Sequence, residues 1–240
     1  MRVAVVLPTY NERENIERML RALMDLDPAP AVVVVDDDSP DGTGTVALEW
    51  AQRCPDVRVI CRKDERGLGS AYLVGFRCAI EHGFEAVATM DCDFSHSPVD
   101  LNRLIQALDQ ADLVIGSRYV PGGGTKGWPW YRRLLSMSAN LFARRLMGLP
   151  PRDCTSGFRV YRAELVCGLL REPLRSEGYS MLVELLFLAV KRLNARTAEV
   201  PILFTERERG SAKMSLREAP RGVCALLALR VHMASGWGRG

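Results

Sequence analysis

What most limits the fold of this chain is a series of short apolar runs, each followed by one helix-length segment. The runs are Val3–Leu7, Ala31–Val35, Val57–Cys61, Ala86–Met90 and Asp112–Gly116. In Ala31–Val35 nearly every position is β-branched, so no alternation separates a dry face from a wet one. Strands buried on both faces carry that pattern, and they belong to parallel sheets covered by helices on each side. Between them, Asn11 and Glu14 read as a capping box opening a helix to about Leu26, with further helices near 44–53, 70–81 and 99–108. This alternation predicts βαβ units in an α/β fold, with a Rossmann-like, mainly parallel central sheet flanked by helices.

The second half is less regular. A Gly-rich loop at Pro121-Gly122-Gly123-Gly124 precedes a predicted helix over Trp130–Met147, with basic residues at 132, 133, 144 and 145. A short strand follows Arg159, then helices near 163–170 and 180–191, a strand over 195–204 and a last helix near 216–234. A length of 240 residues suits one sizeable core. We therefore expect a single domain, with a nucleotide-binding half (1–117), an acceptor-side half (118–215) and a C-terminal amphipathic helix and tail (216–240).

Composition removes several classes of function. A net charge of +3 with scattered arginines does not argue for nucleic acid. The seven cysteines form no C-x-x-C pair and mostly sit in apolar runs, which fits reduced thiols in a cytosol. The first residues lead straight into an apolar strand, leaving no room for a signal peptide. No segment has the roughly 20 apolar residues of a membrane span. The expectation is a cytoplasmic protein, soluble or lying on a membrane surface.

The chemistry concentrates in Met90-Asp91-Cys92-Asp93, an Asp-x-Asp at the end of a predicted buried strand. Ligands of open α/β sheets bind at the carboxyl ends of the strands. Two hard oxygen donors there suit Mg²⁺ or Mn²⁺, with a substrate diphosphate completing the coordination. Two neighbouring strands end in Pro8-Thr9-Tyr10-Asn11-Glu12 and in the acidic Asp36–Asp41 cluster, where an aromatic ring and a carboxylate could receive a nucleoside. A nicotinamide-binding fingerprint would need G-x-G-x-x-G after the first strand, and that place holds Pro8-Thr9-Tyr10. A Walker loop is missing as well.

Taken in order, these blocks resemble the inverting glycosyltransferases of family two, which have the GT-A nucleotide-diphospho-sugar transferase fold, and within them the dolichol- or polyprenol-phosphate mannose synthases. The resemblance runs from Val3 to about Ser215. Its markers are Pro8-Thr9-Tyr10-Asn11-Glu12, Asp36 to Thr43, Gly67-Leu68-Gly69-Ser70-Ala71-Tyr72 and Met90 to His96. Further markers are Gly116-Ser117-Arg118-Tyr119-Val120, Trp128-Pro129-Trp130 with Arg132 and Ser136, Thr155 to Arg159, and Arg207 to Lys213.

The resemblance implies metal-dependent transfer of mannose from GDP-mannose to a dolichyl or polyprenyl phosphate, giving a β-linked product. It places Pro8, Tyr10, Glu12, Val35 and Asp37 at the nucleoside. Asp91, Cys92 (through its backbone) and Asp93 would meet the diphosphate, with Asp91, Asp93 and Ser95 as metal-ligand candidates. Arg118, Arg207 and Lys213 are the implied basic residues around the phosphates, and Arg132 and Ser136 fall on the acceptor side. Asp93, Arg118, Arg132 and Lys213 carry the expected catalysis. No catalytic base is expected, because a phosphate monoester, with a second pKa of about 6, is already anionic near neutrality.

The chain departs from the family pattern at Ser95, where Gln is common, at Cys92, commonly Ala, and at Ser211 in the last basic block. His96 reads as a turn or capping residue, and Arg133, Arg144 and Arg145 as solvated charges. Glu184 reads equally as a site residue or as a surface acid with a partner. In the last helix Val223, Leu226, Leu227 and Val231 share a face that either packs on the core or lies in a membrane interface. A polyprenyl acceptor implies peripheral association with the cytoplasmic face of a membrane, and leaves room for a small membrane-anchoring partner. Two other readings stand beside mannosyl transfer: a UDP-glucose-dependent polyprenyl-phosphate glucosyltransferase, and a non-catalytic nucleotide-sugar-binding subunit.

Overall fold

The computed structural model describes residues 1–63, 66–176, 178, 180–206, 227, 228 and 230. The first apolar runs form parallel neighbours. β1 (Val3–Thr9) lies between β2 (Ala31–Asp36) and β4 (Ala86–Thr89), and β2 pairs with β3 (Val57–Cys61). The chain thus winds outward to β3 on one side of β1 and returns to build on the other. In such a sheet the crevice at the carboxyl ends of the two strands flanking the reversal, here β1 and β4, is where ligands sit.

The connecting helices are α1 (Ile16–Met24), α2 (Thr43–Arg53), α3 (Leu68–Glu81) and α4 (Leu101–Ala107). Then come β5 (Leu113–Ser117), the short β6 (Gly124–Lys126), α5 (Trp130–Met147), β7 (Arg159–Arg162), α6 (Ala163–Leu169) and α7 (Ser180–Phe187). β8 (Thr197–Pro201) and β9 (Leu203–Thr205) complete the described strands. The described residues form a seven-stranded sheet in the order β3-β2-β1-β4-β7-β5-β8, with β7 antiparallel to both its neighbours.

Both faces of the sheet are covered, which accounts for the unbroken apolar runs. Ala4 and Val6 of β1 join Val33 and Val35 of β2 in one buried cluster, while Val3, Val5, Leu7, Val32 and Val34 join the other. α3 lies so close to β1 that a Cβ on Gly75 would collide with the methyl groups of Val6. Gly75→Ala is expected to destabilise the fold by about 1–3 kcal/mol through overpacking, measurable as a lower urea midpoint with unchanged slope.

Three expectations are corrected. α1 starts at Ile16, and Asn11, at φ +58°, is not its cap. The N–H groups of Asn11, Glu12 and Arg13 donate instead to Ser39 Oγ, Thr43 Oγ1 and Asp41 Oδ2 in the loop after β2. The strand expected over 195–204 is two strands. β8 pairs with β5, whereas β9 pairs with β6 in a separate ribbon, and buried Ile202 between them bonds through its backbone to both Ser117 and Gly124. The helix expected to run through 191 ends at Phe187 and passes into a wider turn over Leu188–Arg192. The last predicted helix lies outside the described residues apart from Leu227, Ala228 and Arg230. Among the described residues, no helix is long and apolar enough to cross a membrane.

Candidate active site

A cavity of about 610 Å³ opens at the carboxyl ends of β1, β2 and β4. Its floor is the Asp91–Asp93 turn. Asp93 is only 2 % exposed, and its Oδ1 accepts the Ser95 N–H at 3.0 Å, while the Asp91 side chain remains one-third exposed toward the cavity. Cys92 contributes to the cavity lining and belongs to the apolar cluster behind it.

His96 is not a helix cap. Its ring is buried against Phe158 and Phe204, and Nδ1 accepts the backbone N–H of Asp91 at 3.2 Å, which leaves the ring proton on Nε2. Burial holds its pKa below the ordinary histidine value, against the pull of Asp91 and Asp93. The neutral ring therefore fixes the backbone from which Asp91 projects.

The donor set fits a hard divalent cation. Asp91 and Asp93 supply carboxylate oxygens, and the buried Oγ of Ser95 beside them has no hydrogen-bond partner. No group of three His, Cys, Asp or Glu able to hold a metal occurs among the described residues. Two carboxylates with substrate oxygens completing the shell is how Mg²⁺ is commonly bound at phosphate sites.

One wall is built from the first two loops. Pro8, Tyr10, Glu12 and Asp37 line it. Asp37 is held by Arg62, whose guanidinium bonds its Oδ1 through Nε (2.8 Å) and Nη2 and also reaches Ser70 Oγ and the Gly67 carbonyl. The Gly67 N–H, at a φ of +131° that favours glycine, donates to Asp37 Oδ2. Arg66 stacks over the Tyr10 ring at 5.2 Å. Asp36 and Asp41 of the acidic cluster are structural. Asp36 accepts the hydroxyls of Thr9 and Ser39, and Asp41 binds Thr43 and the Arg13 N–H. Burial would raise the Asp41 pKa, but those bonds hold it below the usual carboxylate value.

The opposite wall comes from the second half. Arg118 donates from Nε and Nη2 to both carboxylate oxygens of Asp153 at 2.7 Å, with side-chain exposures of 7 % and 0 %. Burial alone would raise the Asp153 pKa, and Arg118's charge and hydrogen bonds bring it below the ordinary value. Arg132 stacks on Trp128 at 4.3 Å and pairs with Glu206 at 2.7 Å. Between the walls, Thr89 Oγ1 donates to the Gly157 carbonyl, and a Cβ on Gly157 would crowd Tyr72 Oη at 3.3 Å and lie 3.8 Å from Asp91 Oδ1.

Of the residues expected at the site, Pro8, Tyr10, Glu12, Asp37, Asp91, Cys92, Asp93, Arg118 and Arg132 meet at this one cavity. Val35 and Ser95 are buried behind its wall, and Ser136 accepts the Tyr119 hydroxyl at 2.6 Å. Arg207 and Lys213 lie outside the described residues. Glu184 is neither on the surface nor in the cavity wall, because it is fully buried and accepts the backbone N–H groups of Arg175 and Ser176. Arg62, Arg66, Tyr72, Asp153, Gly157, Phe204 and Glu206 were not legible as site residues. Only Tyr72 and Gly157 fall within recognisable blocks.

Residues 4–169 match the model of glycosyl transferase family 2. The chain is 45% identical over 215 residues to the undecaprenyl-phosphate mannosyltransferase of Micrococcus luteus, covering 90% of this chain and 88% of that one. It is also 45% identical over 223 residues to the polyprenol monophosphomannose synthase of Mycolicibacterium smegmatis, covering 91% and 84%. Its fold resembles that of glucosyl-3-phosphoglycerate synthase from Mycobacterium tuberculosis, solved with Mn²⁺, UDP-glucose and phosphoglyceric acid. The TM-score is 0.67 at 22% identity, over 95% of this chain and 79% of that one. With its GT-A sheet and the cavity at the carboxyl ends of β1 and β4, the chain belongs to glycosyl transferase family 2 and is a glycosyltransferase.

Proposed function

We propose that the chain transfers mannose from GDP-mannose to a polyprenyl phosphate, with inversion at the sugar carbon, to give β-linked polyprenyl-phosphate mannose. The observation that carries this reading is the union, in one cavity, of the Tyr10–Asp37 wall, the Asp91–Asp93 floor and the Arg118–Arg132 wall. The 45% identity to two enzymes named for mannose and a polyprenyl phosphate supports the substrates.

Tyr10 and Pro8 give the base an apolar surface, and Asp37, oriented by Arg62, accepts hydrogen bonds from the nucleoside. Asp91 and Asp93 would hold Mg²⁺ or Mn²⁺, which when bound neutralises charge on the departing diphosphate. The acceptor phosphate attacks as an anion, so no side chain has to remove its proton. Arg132 draws that anion toward the sugar, and Arg118 is kept rigid in the wall by Asp153. Arg207 and Lys213 are assigned to the donor phosphates by resemblance. A polyprenyl acceptor brings the cavity to a bilayer, so the protein works peripherally at its cytoplasmic face.

Calorimetric titration with GDP and UDP in the presence of Mn²⁺ tests the donor. The proposal expects GDP to bind at least about tenfold more tightly, and tighter binding of UDP would overturn the GDP-mannose assignment.

A further inference from the structure

The wall proposed for the nucleoside carries two arginines in opposite situations. Arg62 is buried and committed to the protein itself, through Asp37, Ser70 and the Gly67 carbonyl. Arg66 is exposed, yet it lines the same cavity. Its guanidinium lies 5.2 Å over the Tyr10 ring, and Nη1 donates to the Tyr10 hydroxyl at a long 3.4 Å. Among the described residues, no carboxylate pairs with it. A guanidinium has five N–H donors in a planar fork, so most of them face a ligand rather than the protein.

The backbone fixes where that fork stands. The Gly67 N–H donates to Asp37 Oδ2 at 2.9 Å, while Arg62 holds Oδ1 of the same carboxylate. Arg66, one residue before Gly67, is thereby kept beside Asp37 and over Tyr10, the ring on which the base rests in the proposed function. Its stack on Tyr10 is a solvent-exposed cation–π contact, the weaker kind. An entering base therefore takes the ring face and meets the guanidinium at its own edge. On guanine that edge offers two adjacent acceptors, O6 and N7, the pair that arginine bonds bidentately. Uracil offers O4 alone beside a C–H group, and adenine puts an amino donor where guanine has O6.

We infer that Arg66 is a specificity-determining residue of the donor site, reading the base through paired hydrogen bonds to O6 and N7 of guanine. This deepens the proposed function and rests on its assignment of a guanine nucleotide as donor, adding the residue that selects the base. The Arg62–Asp37 pair builds the wall, and Arg66 discriminates at it.

The test is calorimetric titration of wild type and Arg66→Ala, with Mn²⁺ present, using GDP, UDP and 7-deaza-GDP, in which a C–H group replaces N7. We expect the wild type to bind GDP at least about fivefold more tightly than 7-deaza-GDP, the lower end of what a bidentate arginine contact contributes. Arg66→Ala should bind those two alike, with its affinity for GDP down at least about fivefold and that for UDP changed by no more than about twofold. Its Tm should stay within about 2 °C of wild type, because the side chain is exposed. An equal loss for all three nucleotides would overturn the inference, by showing that Arg66 attracts the diphosphate through charge alone. So would a preference for GDP over 7-deaza-GDP that is the same in both proteins. Either result, with a wild type that still prefers GDP to UDP, leaves the donor assignment standing. A wild type that prefers UDP would overturn the donor assignment and this inference together.

Discussion

Asp93→Ala is expected to lower sugar transfer by at least ~10²–10³-fold, the loss seen when one preorganised electrostatic group is taken from an active site. The effect follows from position. Asp93 sits 2 % exposed in the cavity floor, where its charge is poorly screened. Its Oδ1 also accepts the Ser95 N–H, a bond worth about 1 kcal/mol to folding, so stability is followed separately from turnover. Asp93→Asn separates the two contributions, because the amide oxygen can keep that bond while the charge is lost. Activity measured with Mg²⁺ or Mn²⁺ should fall as far in Asn as in Ala, while the Asn variant melts closer to wild type. Substantial metal-dependent turnover in either variant would remove Asp93 from the metal site.

The second large effect is on stability. Asp153→Ala leaves the guanidinium of Arg118 buried without its carboxylate, a change that costs about 3–5 kcal/mol. For a chain of this size the melting temperature should drop by roughly 10 °C. Replacing both partners, as Arg118→Met/Asp153→Leu, should recover part of that loss, because no unpaired charge then remains. A double variant less stable than the single would contradict this account of the pair. The pH dependence has a defined sign. The Asp153 pKa in the folded protein lies below the unfolded value of about 4, so its stabilisation is present above that value and disappears as pH falls through the folded pKa. In acid unfolding below about pH 4 the wild type should lose stability more steeply than Asp153→Ala.

The first half of the fold was legible because its strands are buried on both faces, which leaves an unmistakable apolar signature. β3 and α5 have the expected boundaries, Val57–Cys61 and Trp130–Met147. The start of α1 was not legible, because the N–H groups of the preceding loop are satisfied by Ser39, Asp41 and Thr43, about thirty residues away. Nor was the division at Ile202, where pairing partners rather than propensity decide which strand a residue joins. At the site, carboxylates and aromatics at strand ends could be read directly from the strand pattern. The pairs that orient them could not. Arg62 meets Asp37 across 25 residues and Arg118 meets Asp153 across 35, with no local periodicity linking either pair.

The central claim is mannosyl transfer to a lipid phosphate, and the most direct measurement is radiolabelled GDP-mannose incubated with purified protein, polyprenyl phosphate and Mg²⁺ or Mn²⁺ in detergent, followed by organic extraction. Label in an acid-labile lipid, formed with wild type and lost with EDTA or Asp93→Ala, is the predicted result. Label that stays in the aqueous phase, while UDP-glucose labels the lipid under the same conditions, would contradict it.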